Sequence, residues 1–258
     1  LTRKITTTPI DAASTFKMQD YGMPKGDIAS ISPILMLVQF LVPTFLGNYA
    51  ASKPFTLLFI GCVLQLPASA LSWAVVQTVP SAYANHQIPG LSFYLPLITV
   101  SVFYQVVSVM VFLAMMSSFS KVADPGIGGT YMTLLNTVAN MGYLWTNSLC
   151  LWILPKLSLS HCYSISTGVK VILDNSTLST ACQHTTTELC ESLEGKCLED
   201  IDSFTVMVFI CLGLGTIWVL LFKEKIFKLQ DMTHTEWWIT SSKKLSPNDE
   251  SAITAKKS

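Results

Sequence analysis

Charge-free apolar stretches alternate with short polar breaks along this chain, and each stretch has the length of a membrane crossing. Residues 28–52 contain no Asp, Glu, Lys or Arg, more than the roughly 20 apolar positions an α-helix needs to span hydrocarbon. Lys53-Pro54 makes a short turn, after which 54–120 again lacks any charged side chain. That run is too long for one helix. The turn formers gathered over Pro80–Gly90 divide it into spans near Phe55–Thr78 and Leu91–Met116. A polar turn over Lys121–Gly129 precedes a fourth span, Thr130–Leu154, and a fifth runs from Ser203 to Phe222. The pattern predicts an all-α membrane protein with about five transmembrane helices.

The spans divide the chain into segments. Residues 1–27 are polar and predict a lumenal loop with a short helix over Ala12–Asp20, and 28–156 predict a four-helix transmembrane bundle. Residues 157–202 form a Cys-rich lumenal loop, 203–222 the last transmembrane helix and 223–258 a cytosolic tail. Lys223, Lys225 and Lys228 directly follow the last span, so the positive-inside rule puts that end in the cytosol. The last span alone separates that cluster from the 157–202 loop and so sets the loop on the opposite side, while five spans put the two ends of the chain on opposite sides. That loop holds Cys162, Cys182, Cys190 and Cys197 and the glycosylation sequon Asn175-Ser176-Thr177, features that suit an oxidising compartment. None of the four has the close Cys-x-x-Cys spacing of a zinc site, so disulfides are preferred to metal. Three pairings are open.

Composition agrees with the pattern. The chain is 50% hydrophobic, 12% charged and has a mean hydropathy of +0.48, against about 25% charged residues in soluble domains. Its net charge is +0, without the basic, aromatic-interleaved stripe of a nucleic-acid binder. The chain starts at Leu1 with no signal-peptide pattern and reads as part of a longer protein.

Candidate chemistry concentrates in one run, from Asp124 to Gly142. Pro125, Gly126, Gly128 and Gly129 make a turn, and Thr133, Asn136, Thr137 and Asn140 then recur at helical spacing on one face. Such a polar stripe fits either a substrate path or hydrogen bonding between helices. Tyr104 and Gln105 form a second polar patch, with Ser108, and Gln39 and Asn48 a weaker one. In the turn, Lys121, Asp124 and the amides of Gly128 and Gly129 are candidates for phosphate contact or gating. The plainer readings are an N-cap for Asp124 and a topogenic charge for Lys121. The spans carry no Asp, Glu, His, Lys or Arg between their ends, so nothing in them suggests a proton relay or a catalytic residue.

The run DPGIGGTYMTLLNTVANMG at 124–142, Tyr21-Gly-Met-Pro-Lys25, the four loop cysteines and Phe227-Lys-Leu-Gln-Asp231 together resemble the acetyl-coenzyme A transporter family, a branch of the major facilitator superfamily. The resemblance covers roughly residues 14–231. It implies that the five spans match helices 8–12, the C-terminal half, and that the missing N-terminal half is a partner. It also implies transport of acetyl-CoA, without a cofactor, from the cytosol across the endoplasmic reticulum membrane by alternating access, supplying lumenal acetylation. Coenzyme A carries phosphates that need cations, and in the spans and their turns only Lys53 and Lys121 offer them. Two alternatives come from other classes. A membrane-embedded acetyltransferase needs a histidine or carboxylate at membrane depth, and a non-transporting fragment or structural subunit needs neither site nor path. The oligomeric state is left open.

Overall fold

The computed structural model describes residues 2–83, 90–123, 127–157, 159–164 and 195–232. Asp124, Asn175, Cys182, Cys190 and the tail beyond 232 lie outside the described residues.

Long helices carry the fold: α2 (Lys25–Ser52), α3 (Pro54–Val76), continued by the short α4 (Val79–Tyr83), α5 (Leu91–Val122), α6 (Gly128–Leu157) and, after the loop, α7 (Ser203–Asp231). Among the described residues, four helices are long and apolar enough to cross a membrane: α2, α3 with α4, α5 and α7. The protein is a multi-pass membrane protein. Helix α6 has 30 residues, about 45 Å at 1.5 Å per residue, but its Asn, Thr and Gly content keeps it out of that set. The expected fourth span, Thr130–Leu154, thus forms as a helix of crossing length with a more polar face. Helix α7 reaches Asp231, past the Phe222 expected from hydropathy, because Lys223 to Gln230 continue the helix beyond the apolar run.

The segment ahead of Lys25, expected as a loop with a helix over Ala12–Asp20, is helical over most of its described length, from Thr2 to Asp20. A 3-10 helix over Thr2–Thr6 leads into α1 (Thr8–Asp20), which opens on Pro9, a residue suited to a first helical turn because its missing N–H would have no partner there. Thr7, Thr8, Pro9, Ile10 and Ala13 are buried. Ile10 and Ala13 pack with Val76, Phe204 and Val208, so α1 sits inside the bundle against α3 and α7. The segment begins at mid-bundle depth: Arg3 bonds Gln65 in the middle of α3, and the Trp218 indole of α7 donates to the Thr2 hydroxyl at 3.0 Å.

Helices α3 and α5 approach closely through Gly61, where an added Cβ would lie 2.4 Å from Val111 Cγ2. Ring contacts join α3 to α7, with Trp73 edge-on to Phe209 at 5.0 Å and Phe59 beside Phe227 at 5.2 Å. Outward faces of α2 and α7 are strongly apolar. Phe40 and Phe45 are 77% and 79% exposed, as expected of side chains turned toward lipid or other membrane helices.

Polar ties close the bundle at one end. The Tyr83 and Tyr94 hydroxyls both donate to Asp27 Oδ2 at 2.7 Å, joining α2, α4 and α5. Nearby, Lys17 of α1 pairs with Asp202 Oδ1 at 3.0 Å, while Gln77 Nε2 donates to Asp202 Oδ2 at 2.9 Å. Beyond α6, β1 (Leu159–Ser164) pairs antiparallel with β2 (Gly195–Ile201), setting Cys162 opposite Cys197 in register. This two-stranded sheet joins the end of α6 to the start of α7 and adds a small β element to an otherwise helical protein.

Candidate functional site

The 3-10 helix and helices α1, α2, α5 and α6 line a half-open cavity of about 720 Å³, within the roughly 300–1,000 Å³ typical of ligand sites. Helix α2 contributes Gln39 and Pro43, and α5 contributes Gln105, Ser108, Phe112 and Met115. From α6 come Asn140 and Tyr143. The N-terminal segment completes the wall with Arg3, Lys4 and Asp11.

Charged groups at this depth need partners, because desolvating them is costly. Lys4 Nζ lies 3.9 Å from Asp11 Oδ2 and 5.1 Å from the centre of the Tyr143 ring. Asp11 Oδ1 accepts a 2.5 Å hydrogen bond from the Tyr104 hydroxyl. Arg3 Nη1 donates to the neutral Gln65 Oε1 at 3.2 Å. Two cations thus stand against one carboxylate, and the lining carries a net charge of +1.

The structure brings together some of the residues expected to form the site. Asn140 and Gln105 line the cavity from facing helices, and Tyr104 reaches it through Asp11. Thr133 and Thr137 spend their hydroxyls on their own helix, Thr133 on the carbonyls of Gly129 and Thr130 and Thr137 on that of Thr133. Together with Asn136 they are exposed and outside the cavity lining. Gly128 and Gly129 open α6 with free space around both. Lys121 is also outside the lining. Its ammonium bonds the Gln230 carbonyl at 3.0 Å and lies 5.6 Å from the centre of the Phe55 ring. Cys62, Cys150 and Cys211 are buried free thiols. Among the described residues, no group of His, Cys, Asp and Glu could hold a metal ion.

Arg3, Lys4 and Asp11 escaped the sequence reading because a Thr-rich, charged segment has the composition of a loop. A weaker signal was present. Thr6-Thr7-Thr8-Pro9 is a helix-start pattern, and Ile10, Ala13 and Lys17 follow at steps of 3 and 4 that place them on one face.

A bundle of long apolar helices around a cavity lined by Arg3, Lys4 and Asp11 defines a multi-pass membrane protein. The family model described as acetyl-coenzyme A transporter 1 matches residues 37–239, and the chain belongs to that family. The family is one of transporters rather than enzymes. An uncharacterized protein of Schizosaccharomyces pombe is 34% identical over 136 residues, covering 52% of this chain and 24% of its own. An uncharacterized membrane protein of Saccharomyces cerevisiae is 31% identical over 130 residues, covering 50% of this chain and 22% of its own. The aligned part of the chain thus spans about a quarter of the length of these relatives. No solved structure matches.

Proposed function

We propose that this chain is the C-terminal part of a major facilitator transporter that moves acetyl-CoA from the cytosol into the endoplasmic reticulum lumen. The single observation that carries the reading is the cavity itself, where Arg3 and Lys4 stand beside Gln39, Gln105, Ser108 and Asn140. A phosphate-bearing solute needs cations, and its amide and hydroxyl groups need neutral donors and acceptors. Both kinds of group converge here.

In this reading the helices described form one bundle, the remainder of the full-length protein forms the other, and the two rock about the cavity. The open cavity flank of α6, with Asn136 and the outward faces of Thr133 and Thr137, would meet the second bundle. Residues 157–202 then face the lumen, with disulfides among Cys162, Cys182, Cys190 and Cys197 and a glycan on Asn175. The positive charges at Lys223, Lys225 and Lys228, at the opposite end of α7 from the loop, support that orientation.

The test is uptake by the full-length protein in liposomes, following acetyl-CoA labelled separately in the acetyl group and in the adenine. Equal accumulation of both labels is expected. Entry of the acetyl label alone would point to acetyl transfer instead, and entry of neither would sink the transport reading.

A further inference from the structure

We infer that Arg3 and Lys4 form the phosphate-holding subsite of the cavity, and that Asp11 is an internal counterion which the phosphate displaces from Lys4. The inference rests on the proposed transport of acetyl-CoA and assigns the orientation of that solute: its phosphate end meets the 3-10 helix, and its amide-rich arm meets Gln105 and Asn140.

The two basic residues are adjacent in sequence yet differently held. Arg3 has a neutral partner, the Gln65 amide oxygen at 3.2 Å, so its charge is not neutralised by that contact. Lys4 has a carboxylate partner, but at 3.9 Å the pair is wider than the 2.7–2.9 Å of a charge-assisted hydrogen bond. Asp11 is more firmly bound to the Tyr104 hydroxyl, at 2.5 Å. When a phosphate arrives, Lys4 exchanges a distant carboxylate for a close anion, while Asp11 keeps its short bond to Tyr104.

The exchange also accounts for why a cationic site can exist at this depth without a ligand. An unpaired lysine there would be costly, and Asp11 lowers that cost in the empty state. By the same reasoning Asp11 opposes binding. Removing its charge should tighten the site, an outcome that a purely structural carboxylate would not give.

The experiment measures direct binding of two probes to the purified full-length protein: acetyl-CoA, and S-acetylpantetheine, which has the same thioester arm and no phosphate. Arg3→Gln and Lys4→Gln should each weaken acetyl-CoA binding by about tenfold or more and leave S-acetylpantetheine within about twofold. Lys4→Arg, which keeps the charge, should retain most of the affinity. Asp11→Asn should tighten acetyl-CoA binding and leave the second probe unchanged. Equal losses for both probes, no loss for either, or weaker acetyl-CoA binding in Asp11→Asn would overturn the assignment. Wild-type binding without uptake would sink the transport reading and leave the subsite standing, whereas normal uptake by Arg3→Gln and Lys4→Gln would do the reverse.

Discussion

The Lys121 ammonium donates a 3.0 Å hydrogen bond to the backbone carbonyl of Gln230, across 109 positions of sequence. The Gln230 side chain turns the other way, its Oε1 accepting from the amides of Phe55 and Thr56 at 3.0 and 3.3 Å. One residue near the end of α7 thereby serves the C-terminal end of α5 and the first turn of α3. Helix ends leave backbone groups without intrahelical partners, and Lys53 at the N-cap of α3 supplies no side-chain bond. Gln230 fills that gap.

This geometry gives Lys121 a structural task. Lys121→Ala and Gln230→Ala should each lower stability by about 1–2 kcal/mol. Their effects should be close to additive in a double-mutant cycle, because Gln230→Ala removes the bonds to the Phe55 and Thr56 amides and keeps the backbone carbonyl that Lys121 holds. Thermal melting of the purified protein measures this, and acetyl-CoA binding provides the contrast. A selective loss of affinity in Lys121→Ala without a drop in melting temperature would return Lys121 to the phosphate-contact role expected from its place in the turn.

Asp202 should make the opposite end of the bundle sensitive to acid. Burial pushes its carboxyl up, but hydrogen bonds from Thr205 and Gln77 and the Lys17 ammonium outweigh it and hold the group below the usual carboxylate range. A depressed carboxyl contributes stability that is present above its unfolded value, about 3.9, and is lost as pH falls through the folded value. Asp202→Asn should therefore cost about 1–2 kcal/mol near neutral pH, a value discounted for the partial exposure of the carboxylate. It should cost much less at pH 3. Melting curves at the two pH values give the comparison, and a constant difference would show that the charge of Asp202 is immaterial.

Gly215 governs the placement of the cationic segment. A Cβ there would lie 2.3 Å from Thr6 Oγ1 and 2.7 Å from Thr6 Cγ2, and a β-branched neighbour has little freedom to yield. Gly215→Ala should shift the 3-10 helix that carries Arg3 and Lys4. Strain of about 1–3 kcal/mol is expected, together with a fall in acetyl-CoA uptake larger than the fall in protein inserted into membranes. Gly213→Ala, where no atom lies within 4 Å of the added carbon, is the matched control. Equal behaviour of the two variants would argue against the contact with Thr6.

On α6, the polar stripe should divide into two parts. Asn140→Leu should impair uptake because it removes an amide from the cavity wall, while Thr137→Val should have a small effect because its hydroxyl bonds the Thr133 carbonyl within the same helix. Cysteine scanning of 133, 136, 137 and 140 with a small water-soluble thiol reagent checks the division. Reaction at 140 and protection by acetyl-CoA are expected; an unreactive 140 would make the stripe a helix-packing surface.

The register of the small sheet leads to a pairing for the loop cysteines. Cys162 and Cys197 are opposite each other on β1 and β2, which favours a 162–197 bridge and leaves Cys182 with Cys190. Peptide mapping without reduction should recover those two links. Recovery of Cys162 bridged to Cys182 or Cys190 would overturn the pairing.

The helices were legible wherever one physical requirement dominated. A run such as 28–52, without a charge, has few alternatives to a membrane helix. The outward apolar face of α2 needs no further information, since hydrocarbon accepts any large apolar side chain. The cavity was only partly legible. Gln105 and Asn140 stand out as polar residues on apolar helices, but that Asn140 faces the cavity while Thr137 bonds its own backbone depends on how α6 rotates against α1 and α7. Arg3 and Lys4 were hidden for a deeper reason: their half-buried placement depends on Gln65 beside Arg3, on Trp218 holding the neighbouring Thr2 and on Tyr104 holding Asp11, partners distant in sequence that no local pattern reveals. Lys121 shows the converse, since a basic residue in a Gly-rich turn suggests an anion until the Gln230 carbonyl is found beside it.

The pairing of β1 with β2 makes a narrow neck at the mouth of the 157–202 excursion. Whatever is strung between Ser164 and Gly195 leaves and rejoins the bundle at almost the same point, and lengthening a closed loop adds only about 0.6 kcal/mol of closure cost per doubling. The neck therefore offers a grafting point: a compact fluorescent domain inserted there would ride outside the membrane without altering the distance between the ends of α6 and α7.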